Sequence, residues 1–319
     1  MPVIGNANFA QPPLYSSGIG VNTPWGLVLN PGARIAAIVR STGVQDLDEP
    51  PLNEQIVGCL NAGVNLCRSG MGDVVLVLPG HTQNIDAADW LSNLRPGTRI
   101  VGVGDPTQST GPKLVWTAAA ATLLLDQINC SLENLRLEMN GDDDIVAPIT
   151  VSAAGCRIVN CYLVTGTGAA LDAVNPVTVA AGATGFVMAG CKSRQTGGTT
   201  TSVVEIGVVD DVTIENNDFQ MIGSAAATGV VNVTGAATNL RIRNNLLAND
   251  HAASTATLSL NAAASTGVLE FNRSSILANG VAATSGITMG AGCLVRCFEN
   301  YNCDEPVASG VLCPAACAT

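Results

Sequence analysis

Apolar and polar residues alternate in short bursts through most of this chain, and most bursts end at Asn. The clearest is V-T-I-E-N-N-D-F at 212–219. Its period of two is that of a strand with one buried face, and the Asn pair marks a corner. Variants recur upstream as S-L-E-N-L-R-L at 131–137, R-I-V-N-C-Y-L at 157–163 and V-M-A-G-C-K-S at 187–193. Downstream they recur as R-I-R-N-N-L-L at 241–247, E-F-N-R-S-S-I at 270–276 and C-F-E-N-Y-N at 297–302. Taking Leu132, Ile158, Met188, Ile214, Ile242, Phe271 and Phe298 as apolar anchors gives steps of 26, 30, 26, 28, 29 and 27 residues.

A nearly constant but elastic step is the mark of a solenoid. The anchors sit among β-branched residues, Gly, Asn and Thr, which favours stacked strands over stacked helices. Two residues after each anchor stand Asn134, Asn160, Gly190, Asn216, Asn244, Arg273 and Asn300. Asn tolerates left-handed backbone angles, and stacked amides can bond from coil to coil. The expected fold is all-β: one right-handed parallel β-helix over 71–319, with a Cys-rich C-terminal end.

Two segments precede the coils. Residues 1–51 carry Pro2, Pro12, Pro13, Pro24, Pro31, Pro50 and Pro51. They read as an extended arm with a short strand near 33–39, laid on a neighbouring subunit or on the surface the protein decorates. Over 52–70, apolar residues at 52, 56, 57, 60, 64 and 66 approach helical spacing and predict a short amphipathic lid for the open end.

Composition narrows the function. The chain has 319 residues, is 47% apolar but only 3% aromatic, and carries a net charge of −11 with Lys113 and Lys192 as its only lysines. Such a surface repels phosphate backbones and anionic headgroups, so neither nucleic acid nor membrane is expected as a partner. No apolar run reaches the ~18 residues of a spanning helix, and no secretory signal opens the sequence, which implies synthesis in the cytosol. Eleven cysteines without a signal read as core thiols: Cys130 and Cys156 precede anchors by two, and Cys161 and Cys191 follow them by three. Cys293, Cys297, Cys303, Cys313 and Cys317 include two C-x₃-C spacings, read as sealing the last coil rather than holding zinc.

The run G-D-V-V-L-V-L-P-G-H-T at 72–82, then P-G-T-R-I-V-G-V-G-D at 96–105, K-L-V-W at 113–116 and N-C-S-L-E-N-L-R-L at 129–137 resembles the start of a pectate-lyase-like right-handed β-helix. More narrowly it is similar to β-helix virion proteins of tailed bacteriophages. The resemblance covers about residues 50–250. It implies a structural virion protein, a capsid decoration (cement) or head-spike protein. Such a protein binds the major capsid protein or another virion component and associates as a homotrimer. No cofactor, metal or catalytic residue is expected.

The alternative is a tailspike-type polysaccharide lyase or glycoside hydrolase, which must work with carboxylates. Its best cluster is Asp142, Asp143 and Asp144 with Glu138, on a loop after Asn140-Gly141, where a Ca²⁺ site would also sit. Asp210 and Asp211 form a second candidate pair, with Arg241 and Arg243 available opposite. Against it, Trp25, Trp90 and Trp116 precede the regular coils, whereas saccharide grooves are lined with rings. His81 and His251 stand far apart on turns, and the P-G-H-T histidine reads as a turn cap.

Overall fold

The computed structural model describes residues 21–22, 28–29, 32–41, 56–139, 144–165, 173–195, 200–222, 228–250, 256–276 and 286–302. Among them, parallel strands stack into three sheets of eleven, nine and seven members, apart from a two-stranded antiparallel pair, Val21–Asn22 with Val28–Leu29. The chain visits the sheets in rotation. One coil runs Thr213–Glu215, Asp218–Ile222 and Val231–Val233; the next runs Leu240–Arg243, Leu246–Asp250 and Leu258–Leu260. Each strand pairs with its counterpart one coil on, so backbone donors and acceptors are spent between coils. This is a parallel β-solenoid with very little helix.

Inward residues alternate with outward ones in every strand. Leu132, Ile158, Met188, Ile214 and Ile242 are stacked in register and fully buried. The stack continues through Leu269 and Cys297, not through Phe271 and Phe298 as the sequence pattern suggested. Phe271 instead occupies the corner, and Phe298 points outward from the last coil of the first sheet; both are about half exposed. True steps are therefore 27 and 28 residues for the last two coils.

Each corner is made by one residue with positive φ, two after the true anchor: Asn134, Asn160, Gly190, Asn216, Asn244, Phe271 and Glu299. Asn dominates because it bears this conformation at low cost. Gly190 fits for an added reason: a Cβ there would lie 2.3 Å from Asn160 Oδ1.

The N-terminal end is closed by local structure. The helix is shorter than its sequence pattern, Leu60–Asn65, because Ile56–Val57 joins the edge of the first sheet instead. Leu60 and Val64 enter the core with Ala37, Val39 and Val75. The strand Ile35–Val39, from the segment read as an arm, is itself part of the first sheet. On that sheet's outer face, Leu29 and Ala33 form a second cluster with Ile38, Val74, Leu76 and Val101. The described part of the arm thus packs on its own solenoid; residues 1–20 lie outside the described residues.

Buried Asp73 ties these pieces together. Its carboxylate accepts from the Arg68 guanidinium at 2.7 and 2.9 Å, from Arg68 N at 2.9 Å and from Arg34 N at 3.1 Å. Burial alone would raise its pKa, but the bonds from Arg68 and Arg34 outweigh that and hold the carboxyl below its ordinary value.

Candidate functional site

Three surface features bear on function: the outward carboxylates, a polar column inside the wall, and the corner of the last coils. The outward carboxylates of the coils are largely neutralised by arginines. Arg99 makes a forked pair with Glu133 at 2.8 Å, Arg194 with Asp218 at 2.8 Å, and Arg243 with Glu215 at 2.7 Å. Arg241 reaches Asp211 at 2.8 Å, and Glu138 is held by Arg136 and Lys113. All but the Arg136 contact join neighbouring coils. At Glu133, burial would raise the pKa, yet the bonds from Arg99 and Ser131 keep it low.

This changes the chemistry of the sequence candidates. Asp211 and Arg241, read as acid and opposing base, are partners of each other, and Arg243 is committed to Glu215. Asp210 accepts from the Thr238 hydroxyl and from Asn239 Nδ2 at 2.8 Å, bonds that lower its pKa. It therefore serves as a turn acceptor across two coils. Glu138 faces outward into its own ion pairs; Asp144 is described, while Asp142 and Asp143 lie outside the described residues. Among the described residues no group of three or more His, Cys, Asp or Glu is placed to hold a metal. No helix among them is long and apolar enough to cross a membrane.

His81 is buried at the P-G-H-T turn. Its Nδ1 lies 3.2 Å from Ser41 Oγ, and burial lowers its pKa, so the ring is neutral at pH 7. Its backbone N donates to Leu78 O and its carbonyl accepts from Lys113 N, which fastens the turn between coils. His251 lies outside the described residues. Cys130, Cys156, Cys161 and Cys191 are all buried, and burial pushes the Cys130 thiol up to about 12. Of the C-terminal cysteines, Cys293 and Cys297 are half-buried beside the core; Cys303, Cys313 and Cys317 lie outside the described residues.

The amide stack expected from the sequence exists, one position later than expected. Three residues after the true anchors run Cys161, Cys191, Asn217, Asn245, Asn272 and Asn300. Asn217 Nδ2 donates to Asn245 Oδ1, Asn245 to Asn272 and Asn272 to Asn300, each at 2.9 Å. Each acceptor oxygen also takes the backbone N–H of the preceding coil, as Asn245 Oδ1 does from Asn217 N at 3.0 Å. The second amide hydrogen of Asn245 goes to Ile214 O at 2.9 Å, and that of Asn272 to Ile242 O at 2.8 Å. All four asparagines are at most 2% exposed. The regular spacing of the second Asn at these corners, 28, 27 and 28 residues, is the signal that locates the ladder.

The third feature lies where the first sheet turns into the second. A cleft of about 510 Å³ opens there, lined by Asn244, Asn245, Leu246, Phe271, Arg273 and Tyr301. Leu246, Phe271, Leu294, Phe298 and Tyr301 are five of the ten large apolar side chains exposed among the described residues, all in the last three coils. The apolar surface is thus concentrated at one end, while the middle coils present small polar side chains and closed ion pairs.

Comparison of the chain with protein-family models, with curated proteins and with solved structures found no match.

Proposed function

We propose that this chain is a structural virion protein of a tailed bacteriophage, a capsid decoration (cement) or head-spike protein. The virion assignment rests on the sequence resemblance around 72–137. The observation that carries the structural part of the reading is the closure of charge between coils. Asp211–Arg241, Glu215–Arg243 and Asp218–Arg194 consume the groups a hydrolase or lyase would need. A guanidinium held by a carboxylate is a poor base, and a carboxylate paired with it is a poor proton donor. The same pairs brace successive coils. With the buried Asn ladder and full inter-coil backbone pairing, they favour a rigid body whose work is binding and bracing.

The test is the copy number of the chain in purified phage particles, measured by quantitative mass spectrometry against the major shell protein. A ratio near that of the shell protein is the expected result. A few copies per particle would move the protein to a tail or vertex device, and absence from particles would overturn the reading. Cleavage of a polysaccharide that Asp211→Asn abolishes would replace it with the enzymatic alternative.

A further inference from the structure

The exposed corner of the last coils differs from the rest of the surface in its charges as well as its apolar side chains. Along the middle coils, Arg194, Arg241 and Arg243 are closed against carboxylates of the same chain. At the corner, Arg273, Arg296 and Glu299 are exposed and Glu270 is half-buried, and none has an ion-pair partner among the described residues. Two cations and two anions are thus left open in one place on a chain of net charge −11. They sit among half-exposed aromatic rings: Glu270 is the register partner of Phe298, Arg273 that of Tyr301, and Phe271 and Glu299 are the two corner residues themselves.

We propose that this corner is where a second copy of the chain docks. Two bodies this acidic repel each other over most of their surfaces. They can meet only where charge is locally balanced, and a patch holding both signs can satisfy its own ions when it faces its copy. Its apolar part has the composition of an interface centre: Phe271, Phe298 and Tyr301 are rigid rings beside Leu246, with an arginine at the edge of an open cleft. Monomeric proteins seldom leave so many large apolar side chains together in water. Arg273 of one copy would face Glu270 or Glu299 of the other while the rings fill the cleft. The inference stands apart from the particle reading, since a chain found in no particle would still associate through this corner.

Charge reversal across copies tests it. One variant of the full chain carries Arg273→Glu and Arg296→Glu; a second carries Glu270→Lys and Glu299→Lys. Sedimentation velocity over a concentration series should show self-association of the unmodified chain. Each variant alone should associate at least roughly tenfold more weakly, and an equimolar mixture of the two should recover association. Recovery on mixing cannot come from a folding defect, so it separates an intermolecular contact from a merely destabilised coil. A chain monomeric at every concentration would overturn the proposal and leave the corner to another partner or another part of the chain. So would variants that associate like the unmodified protein, or a mixture that stays dissociated.

Discussion

Replacing Asn245 by Ala cuts the amide ladder at its middle. Asn245 Oδ1 accepts from Asn217 N and Asn217 Nδ2, and its own Nδ2 donates to Ile214 O and Asn272 Oδ1. The substitution leaves two buried N–H groups of Asn217 without acceptors, while the other amide hydrogen of Asn217 keeps Met188 O at 3.1 Å. An orphaned buried donor costs about 1–3 kcal/mol, so two cost roughly 2–6 kcal/mol before any cavity is counted. Cys161 is the internal control, because it occupies the same column in the apolar coils. Its thiol lies 3.5 Å from Leu132 O, so Cys161→Ala forfeits a weak contact and a small volume, about 1 kcal/mol. Urea unfolding of both variants gives the difference. Hydrogen exchange gives its location: the Asn217 amide should lose protection in Asn245→Ala and keep it in Cys161→Ala. Equal costs for the two substitutions, or an Asn217 amide still fully protected, would refute the account of the ladder as a set of obligatory bonds.

Further consequences concern the N-terminal clasp, the surface pairs, the coil approach and the thiols. Asp73 has a folded pKa below its unfolded value, so its contribution to stability is full above the ordinary carboxylate range and is lost as pH falls through the depressed value. Asp73→Asn should cost about 3 kcal/mol at neutral pH and flatten the acid side of a stability-against-pH curve from denaturant titrations. Arg241→Ala breaks an ion pair whose side chains are 55% and 42% exposed, and should move the urea midpoint by no more than about 1 kcal/mol allows. Gly102→Ala would set a Cβ 2.1 Å from Asn134 O, backbone of the adjacent coil, and should cost about 3 kcal/mol in the same assay. Alkylation of the native protein followed by peptide mapping should modify half-buried Cys59 well before Cys130, whose burial keeps it a thiol at neutral pH.

The sequence by itself determined the period of the solenoid, its Asn corners and its buried cysteines. Alternation of two, a recurrence near 28 and a residue tolerant of positive φ are local properties, legible without knowing any neighbour. The middle anchors, Ile158 to Ile242, follow from that pattern alone. What lies beside what could be read only from the tertiary structure, because coils here vary from 26 to 30 residues and a slip of one residue turns a strand inside out. In the last coils Leu269 and Phe271 are both plausible anchors, as are Cys297 and Phe298. Pairing with Ile242 chooses Leu269 and then Cys297, which turns the two phenylalanines outward. The same choice moves the amide ladder to Asn217, Asn245, Asn272 and Asn300. The carboxylates tell the same story: Asp211 and Arg241 stand 30 residues apart, and they face each other only because one coil happens to span that length. The short helix is a further case, since the sheet edge at Ile56–Val57 offers backbone partners that six helical residues do not need.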